Sequence, residues 1–267
     1  MQVRRGMLSF VRAATGAVVL ALAVAAAPEA TFAAPDVAPL HIAFVGDSMA
    51  DGLWGALFRR LGKDKCLAEK VKLIRKAKNG TGLTRLDQYN WIDEVGALAD
   101  ESNPDLFVGS FGINDRQSIV EADRTRVDYP SPAFETRYTA IVEDVLKRAT
   151  SKGGSIVVVG LPVMLDDDAN TDALDKNKIF AAAVTAVASP RVSYATPWSS
   201  QPGTDEYKPF LPNARNNMVQ VRASDGIHFT TIGYDMVMEA VYPAVLASLK
   251  QRGRDLATEC PSPVGVR

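Results

Sequence analysis

The sequence contains very few residues that could bind a metal ion or act as an imidazole base. Its 267 residues include only two histidines, His41 and His228, and two cysteines, Cys66 and Cys260. No C-x-x-C or H-E-x-x-H pattern occurs, so nothing indicates a protein-bound zinc site. The acidic run at 166–168 lacks the glycine and loop pattern of a calcium site and is predicted to be a solvated loop. We expect no metal and no cofactor.

The sequence also lacks a strong excess of either charge. Lysine and arginine number 30 and aspartate and glutamate number 31, so nothing indicates a basic surface for nucleic acid. The apolar stretch at 13–27 follows an arginine-containing start and is short for a membrane span. Small residues follow, and Thr-Phe-Ala at 31–33 fits a cleavage site. We predict a signal peptide over residues 1–33, read by the Sec or twin-arginine route, and a single periplasmic or secreted domain over 34–267. The alternative is an uncleaved anchor.

Both cysteines would lie in this exported domain, where a disulfide can persist. They are 194 positions apart, so a bond would tie the end of the domain to its beginning. The chain-entropy model limits the resulting stabilisation to about 5 kcal/mol. Spacing alone does not reveal whether the two side chains meet, so the paired and the free states both stay open here.

Apolar runs that are typical of strands alternate with helical patterns along the domain. The strand candidates are 40–45, 71–76, 106–110, 156–160 and 192–195, and the helix candidates are 49–61, 91–99, 134–150, 172–187 and 232–249. The first, third and fourth runs are almost continuously apolar, as in strands covered on both faces. The alternation predicts a three-layer α/β/α sandwich with a mostly parallel five-stranded sheet. Two long loops, 117–132 and 197–222, are expected to line a binding site.

Ser48 and His228 are the candidates for nucleophilic chemistry. His41 lies in the apolar first strand and is expected to be buried, which leaves His228 as the imidazole base. Ser48 follows the same strand at the predicted start of a helix, where it could instead be the helix N-cap, with Asp51 completing a capping box. Both roles use this position, because free N–H groups at a helix start favour a developing negative charge. Likewise, His228 could simply lead into the last helix, with Asp225 as the N-terminal cap of that helix.

Four short motifs follow the strands or precede the last helix. They are GDS at 46–48, NGTG at 79–82, GIND at 112–115 and DGIH at 225–228. In this order they resemble the four signature blocks of the SGNH (GDSL-type) hydrolase family, as in an exported bacterial member, and they span most of the domain. No G-x-S-x-G motif occurs, which disfavours an ordinary α/β-hydrolase elbow. The resemblance implies a flavodoxin-like SGNH-hydrolase fold whose ligands bind at the carboxyl ends of the strands.

The resemblance also implies a role for each residue. Ser48 would attack an ester carbonyl, His228 would accept and return the proton, and Asp225 would orient the imidazole. The oxyanion hole would consist of the backbone N–H groups of Ser48 and Gly82 and the side-chain amide of Asn114. Read without the resemblance, the glycine and the asparagine would simply belong to strand-end turns.

Four further residues are candidates for substrate binding. Asp47 and Asp115 lie within the motifs, although Asp115 is also suited to bracing its loop. Trp198 could stack on a sugar ring or pin the long loop. Arg222, just before the last motif, could steer an acidic substrate.

The favoured function is hydrolysis of carboxylic esters with acetyl or other short acyl groups, on small molecules or on cell-envelope or extracellular glycans. Two alternatives remain. An O-acyltransferase would use the same nucleophile to move an acetyl group onto a polysaccharide, and a non-catalytic glycan-binding module would share only the fold. No nucleic-acid partner and no stable membrane insertion of the exported domain are expected.

Overall fold

Nine strands are found in the part of the chain that the computed structural model describes, residues 38–196 and 206–261. In chain order they are β1 (Leu40–Gly46), β2 (Val71–Arg75), β3 (Leu106–Ser110), β4 (Ile119–Val120), β5 (Arg126–Val127), β6 (Ser155–Val159), β7 (Val192–Ala195), β8 (Phe210–Pro212) and β9 (Met218–Gln220). Five of them form a sheet in the order β2-β1-β3-β6-β7, and all four pairings are parallel. The predicted parallel five-stranded sheet is confirmed.

The helices of the same residues cover both faces of this sheet. They are α1 (Ser48–Leu61), α2 (Lys65–Lys70), α3 (Trp91–Ser102), α4 (Pro132–Thr150), α5 (Asp167–Val187), α6 (Thr231–Gln251) and α7 (Leu256–Glu259). One apolar core joins α3, α4 and α5 to one face of the sheet, and a second joins α1, α6 and α7 to the other. Burial of a large apolar side chain stabilises a fold by roughly 1.5–3 kcal/mol, so two such cores explain the three-layer arrangement.

Strand burial follows from this position between two helical layers. All residues of β3 and β6 are buried, as the continuous apolar runs predict. One face of α4 is likewise buried, from Phe134 to Leu146. His41 departs from the expectation, because its side chain is exposed although its neighbours on β1 are buried.

Several predicted boundaries and loops need correction. The acidic run at 166–168 is not a loop: Asp166 caps α5 by accepting a hydrogen bond from the Ala169 N–H, and the next two residues form the first helical turn. Negative side chains at a helix start are stabilised by the helix dipole. The loop at 117–132 contains the β4–β5 hairpin, and the described part of the loop at 197–222 contains the β8–β9 hairpin.

A disulfide joins Cys66 in α2 to Cys260, which follows α7. The open question about these two residues is thereby answered in favour of pairing, with the two Cα atoms 5.7 Å apart. The bond ties the end of the described chain to the helix that leads into β2. Among the described residues, no helix is both long and apolar enough to cross a membrane. The predicted signal peptide lies outside the described residues.

Candidate active site

Ser48 follows the carboxyl end of β1, and a sharp turn at Gly46 places it at this end of the sheet. This glycine has a φ of +127°, and a Cβ there would lie 1.8 Å from the carbonyl oxygen of Ser110 at the end of β3. Only glycine tolerates both conditions. The Asp47 N–H then donates to the same carbonyl, at 3.1 Å, so the turn is fastened to the neighbouring strand.

Asp47, and not Ser48, caps helix α1. Its Oδ1 accepts from the Met49 N–H at 2.9 Å, and its Oδ2 accepts from the Ile113 N–H at 3.2 Å. The carboxyl group is fully buried, which raises its pKa to about 8, with the charge of Asp115 adding to the effect and the N–H donors opposing it. The predicted substrate contact of Asp47 is therefore wrong, because no part of it reaches the surface. Instead, it joins the start of α1 to the loop after β3.

Because Asp47 is the cap, the Ser48 hydroxyl is available for another partner. Its Oγ lies 2.6 Å from His228 Nε2, and His228 Nδ1 lies 2.7 Å from Asp225 Oδ2. The three side chains thus form one continuous chain of hydrogen bonds. Asp225 is not the cap of the last helix, since Thr230 caps α6. His41 lies near the opposite end of β1 from Ser48 and takes no part.

Asp225 also accepts hydrogen bonds from the backbone of its own loop, and these affect its pKa. Its second oxygen, Oδ1, accepts from the N–H groups of Ile227 and His228, each at 2.9 Å. Partial burial works against the charged form, but the hydrogen bonds with His228 and with these N–H groups prevail and lower the pKa of Asp225 to about 2. The carboxylate is therefore ionised over the whole ordinary pH range, as the stabilisation of an imidazolium requires.

The predicted oxyanion-hole residues lie close to one another. The side-chain amide of Asn114 donates to the carbonyl oxygen of Thr81 at 2.7 Å, directly before Gly82. An amide carries two hydrogens, so the second stays available for a substrate oxygen. Within the described part of the chain, the backbone N–H groups of Ser48 and Gly82 have no acceptor. These three donors could therefore receive a negatively charged oxygen.

Asp115 fixes the glycine-containing segment and does not face a substrate. It is fully buried and accepts hydrogen bonds from the Leu83 and Thr84 N–H groups, the Thr84 hydroxyl and the Tyr138 hydroxyl. A Cβ on Gly82 would lie 1.9 Å from its Oδ1, so this close approach requires glycine. The prediction of substrate binding by Asp115 is wrong, and the alternative of a loop brace is the one that the contacts support.

Arg222 is also not a substrate-facing cation. Its side chain is 3% exposed, and its guanidinium donates to the carbonyl oxygens of Val163, at 2.7 Å, and Ile227, at 2.8 Å. The rings of Tyr207 and Phe229 lie against it, with centroids 4.7 and 4.5 Å from Cζ. Burial lowers the pKa of Arg222 to about 10, which still leaves it charged at neutral pH. The predicted steering of an acidic substrate is wrong. Trp198 lies outside the described residues.

Two supporting features had no signal in the sequence. Tyr234 of α6 packs on Gly52 of α1, and a Cβ at that glycine would overlap its ring at 2.1 Å. Lys176 of α5 is buried beneath Gly112, with its Cδ 3.1 Å from the position a Cβ would occupy, and it pairs with Asp172. Both residues support the segments that carry the site through contacts between distant parts of the chain, which local patterns do not encode.

The architecture is the SGNH (GDSL-type) hydrolase fold, as comparison with solved structures shows. A carbohydrate esterase family 3 structure from Talaromyces cellulolyticus aligns with a TM-score of 0.56 and 11% identity, over 79% of this chain and 99% of that one. A catalytic mutant of Axe2, an acetylxylan esterase from Geobacillus stearothermophilus, gives 0.53 and 14%, over 79% and 96%. A putative acylhydrolase from Bacteroides fragilis gives 0.51 and 16%, over 82% and 93%. Similarity at these identities establishes the shared fold.

The chain belongs to the family described as protein of unknown function (DUF459), whose sequence profile matches residues 41–244. The matched region begins in β1 and ends within α6, so it contains all four motifs. Comparison with curated proteins gives no significant match.

Proposed function

We propose that the protein is a serine-dependent hydrolase of carboxylic esters. The observation that carries this proposal is the unbroken hydrogen-bond chain from Ser48 Oγ through the His228 imidazole to Asp225, with distances of 2.6 and 2.7 Å. A serine hydroxyl becomes an effective nucleophile when a neighbouring base accepts its proton and a third group orients that base. These side chains meet that requirement, beside three donors suited to a tetrahedral oxyanion.

The reaction begins with attack of Ser48 Oγ on the ester carbonyl carbon, while its proton passes to His228 Nε2. Asp225 stabilises the resulting imidazolium without taking the proton itself. The carbonyl oxygen becomes an oxyanion, which accepts hydrogen bonds from the Ser48 and Gly82 N–H groups and from the Asn114 amide. On collapse, His228 gives the proton to the leaving alcohol, and an acyl-serine remains. Water, activated by the same imidazole, then releases the acid and restores Ser48.

The proposed substrates are acetyl or other short-acyl esters, including those on cell-envelope or extracellular glycans. Support for the glycan comes from the Talaromyces and Geobacillus proteins, which are named as a carbohydrate esterase and an acetylxylan esterase. Support for an exported protein comes from the apolar leader and from the disulfide between Cys66 and Cys260, since disulfides persist in oxidising compartments.

Hydrolysis of p-nitrophenyl acetate tests the proposal. Ser48→Ala and His228→Ala should each lower kcat by a factor on the order of 10⁴–10⁶, because each removes an essential member of the triad. The chain offers a matched control, His41→Ala, which removes the only other imidazole and should leave kcat unchanged. Retained activity in the serine variant would overturn the proposal.

Two further measurements separate the alternatives. A fluorophosphonate should label Ser48, as identified by mass spectrometry, whereas a non-catalytic glycan-binding module would stay unlabelled. With an acetylated polysaccharide, hydrolysis yields free acetate in amounts equal to the ester lost. An acyltransferase would instead yield a newly acetylated glycan, since transfer requires a bound acceptor and exclusion of water.

A further inference from the structure

We propose that Arg222 is a positioning residue, whose buried guanidinium holds the backbone of residues 226–228 so that the His228 imidazole stays within hydrogen-bonding distance of Ser48. This role deepens the proposed function and rests on it, since it concerns the same triad. Arg222 touches neither Ser48 nor the imidazole ring and would act only through the loop.

The loop at 223–229 needs such support because it has little regular structure. Only an isolated bridge between Arg222 and Phe229 pairs its ends. Gly226 has a φ of +73°, and Asp225 is exposed. The hydrogen bonds of Asp225 with the Ile227 and His228 N–H groups lie within the loop. They fix its shape, but they do not fix its position relative to the sheet.

Arg222 provides a connection to the sheet. Its Nη1 donates to the carbonyl oxygen of Val163, which follows β6, and its Nη2 donates to the carbonyl oxygen of Ile227. Longer contacts of 3.4 Å reach the carbonyl oxygens of Gly226 and His228. One rigid, planar cation therefore spans the segment after β6 and three consecutive residues of the loop. The Leu165 N–H donates to the Gly226 carbonyl and reinforces the same junction.

Two properties of this contact make arginine the suitable residue. The guanidinium offers five N–H donors in a fixed plane, whereas an ammonium is a single point that cannot keep the same spread of carbonyls in place. Within the described residues, Arg222 makes no ion pair, and its charge is met by carbonyl dipoles and by the rings of Tyr207 and Phe229. The contacts of the Arg222 guanidinium are therefore with backbone carbonyl groups and with two aromatic rings.

Small displacements matter here, because a shift of about 1 Å in a reacting group can cost on the order of 10²-fold in rate. We expect Arg222→Met to lower kcat for p-nitrophenyl acetate by roughly 10–100-fold with a smaller change in KM. The fall in kcat should be smaller in Arg222→Lys, since lysine keeps the positive charge but lacks the planar set of N–H donors. The matched control is Arg254→Met. Arg254 is also largely buried and binds Glu259 and the Ala38 carbonyl, but at the end of the domain.

A spectroscopic readout separates positioning from general stability. The chain has only two histidines, so ¹⁵N-histidine labelling gives signals from two imidazole rings, with exposed His41 as the internal reference. In the wild type, the Nδ1–H proton that His228 shares with Asp225 should appear at low field. Arg222→Met should broaden or shift this signal and leave His41 unchanged. Arg254→Met should lower the melting temperature while leaving both signals and kcat as in the wild type.

A folded Arg222→Met protein with wild-type kcat and an unchanged His228 signal would overturn the inference. Equal losses of kcat in the Arg222 and Arg254 variants would overturn it too, because the effect would then be general destabilisation. If Arg222→Met does not fold, Arg222→Lys decides, and wild-type values for both readouts would reject the role. An altered His228 signal in a protein whose wild type hydrolyses no ester would support the positioning and reject the proposed function.

Discussion

Ser48 and His228 meet in a single hydrogen bond, yet the two halves of the candidate site are held in different ways. The amino-terminal half consists of the GDS turn at 46–48 and the GIND loop at 112–115. It continues directly from β1 and β3, whose side chains are almost all buried. The fully buried Asp47 and Asp115 then bind backbone N–H groups across the gap between neighbouring segments. Apolar burial and buried hydrogen bonds together determine its position.

The carboxyl-terminal half is the loop at 223–229. Phe229 at its end is buried in the second core and Ile227 packs against the first, whereas Asp225 is exposed. Its position depends on these two side chains, on the polar contacts of Arg222 and on the start of α6. Segments with little regular structure and exposed polar side chains open locally at lower free energy than buried strands. The base is thus expected to be the more easily displaced partner, and changes near it should affect turnover before they affect global stability.

Asp225→Asn is the strongest test of the carboxyl-terminal half. The amide oxygen can keep the two backbone N–H bonds, which turns the NH₂ group towards His228 Nδ1. The imidazole must then carry its proton on Nε2, the tautomer that cannot accept a proton from Ser48. We expect kcat to fall by about 10³–10⁴, with only a modest fall in the melting temperature because Asp225 is exposed and its interactions are screened by solvent. The exposed Asp167→Asn serves as control. A wild-type kcat in Asp225→Asn would mean that this half does not orient the base.

The same variant also tests how the stability of the fold depends on pH. The folded-state pKa of Asp225 is about 2, below its ordinary value of 3.8, so its contribution to stability is present above about pH 4 and is lost as the pH falls towards 2. Asp225→Asn should lack this part of the acid sensitivity in thermal unfolding. The acidic limb of the wild-type rate profile should accordingly not report protonation of Asp225 above about pH 4.

Asn114→Ala tests the amino-terminal half and should have a smaller effect. It removes one oxyanion donor while leaving the hydrogen bond between Ser48 and His228 in place. We expect kcat to fall by about 10²–10³ with a smaller change in KM, since the donor acts mainly on the transition state. Asn114→Asp serves as a second variant. Its carboxylate would repel the oxyanion, so we expect a lower kcat than in Asn114→Ala. Equal turnover in the wild type and both variants would remove Asn114 from the oxyanion hole.

The two halves also differ in how far the sequence could predict them. The sheet and its order of elements follow from continuous apolar runs and alternating periodicity, which are local patterns. Ser48 and Asp47 show the limit of such patterns. Aspartate and serine are about equally good helix caps, so the choice between adjacent candidates depends on the Ile113 N–H from another loop. Short helices such as α2 and α7 have too few residues to show a period.

The prediction for Arg222 fails for a related reason. A charged residue in a long loop is expected at the surface, since arginine is rarely fully buried without a partner. Its burial depends on the Val163 carbonyl, which precedes it by 59 positions and lies next to it only through the fold. The pairing of Cys66 with Cys260 is the same kind of fact, because a distance between remote residues has no local signature. The contacts that fix loops to the sheet are of this kind.

The disulfide belongs to neither half, and removing it should have the smallest effect on turnover. Cys66 precedes β2 and Cys260 follows α7, whereas the site lies at the carboxyl ends of the strands. In Cys66→Ala/Cys260→Ala we expect the free energy of unfolding, measured with urea, to fall by about 2–5 kcal/mol because the unfolded chain gains freedom. At 25 °C, kcat should stay within about twofold of the wild-type value, as for a substitution remote from the site. A matching fall in kcat would show that the disulfide region influences the position of His228 through α6. The structure that holds the base would then extend beyond the loop at 223–229.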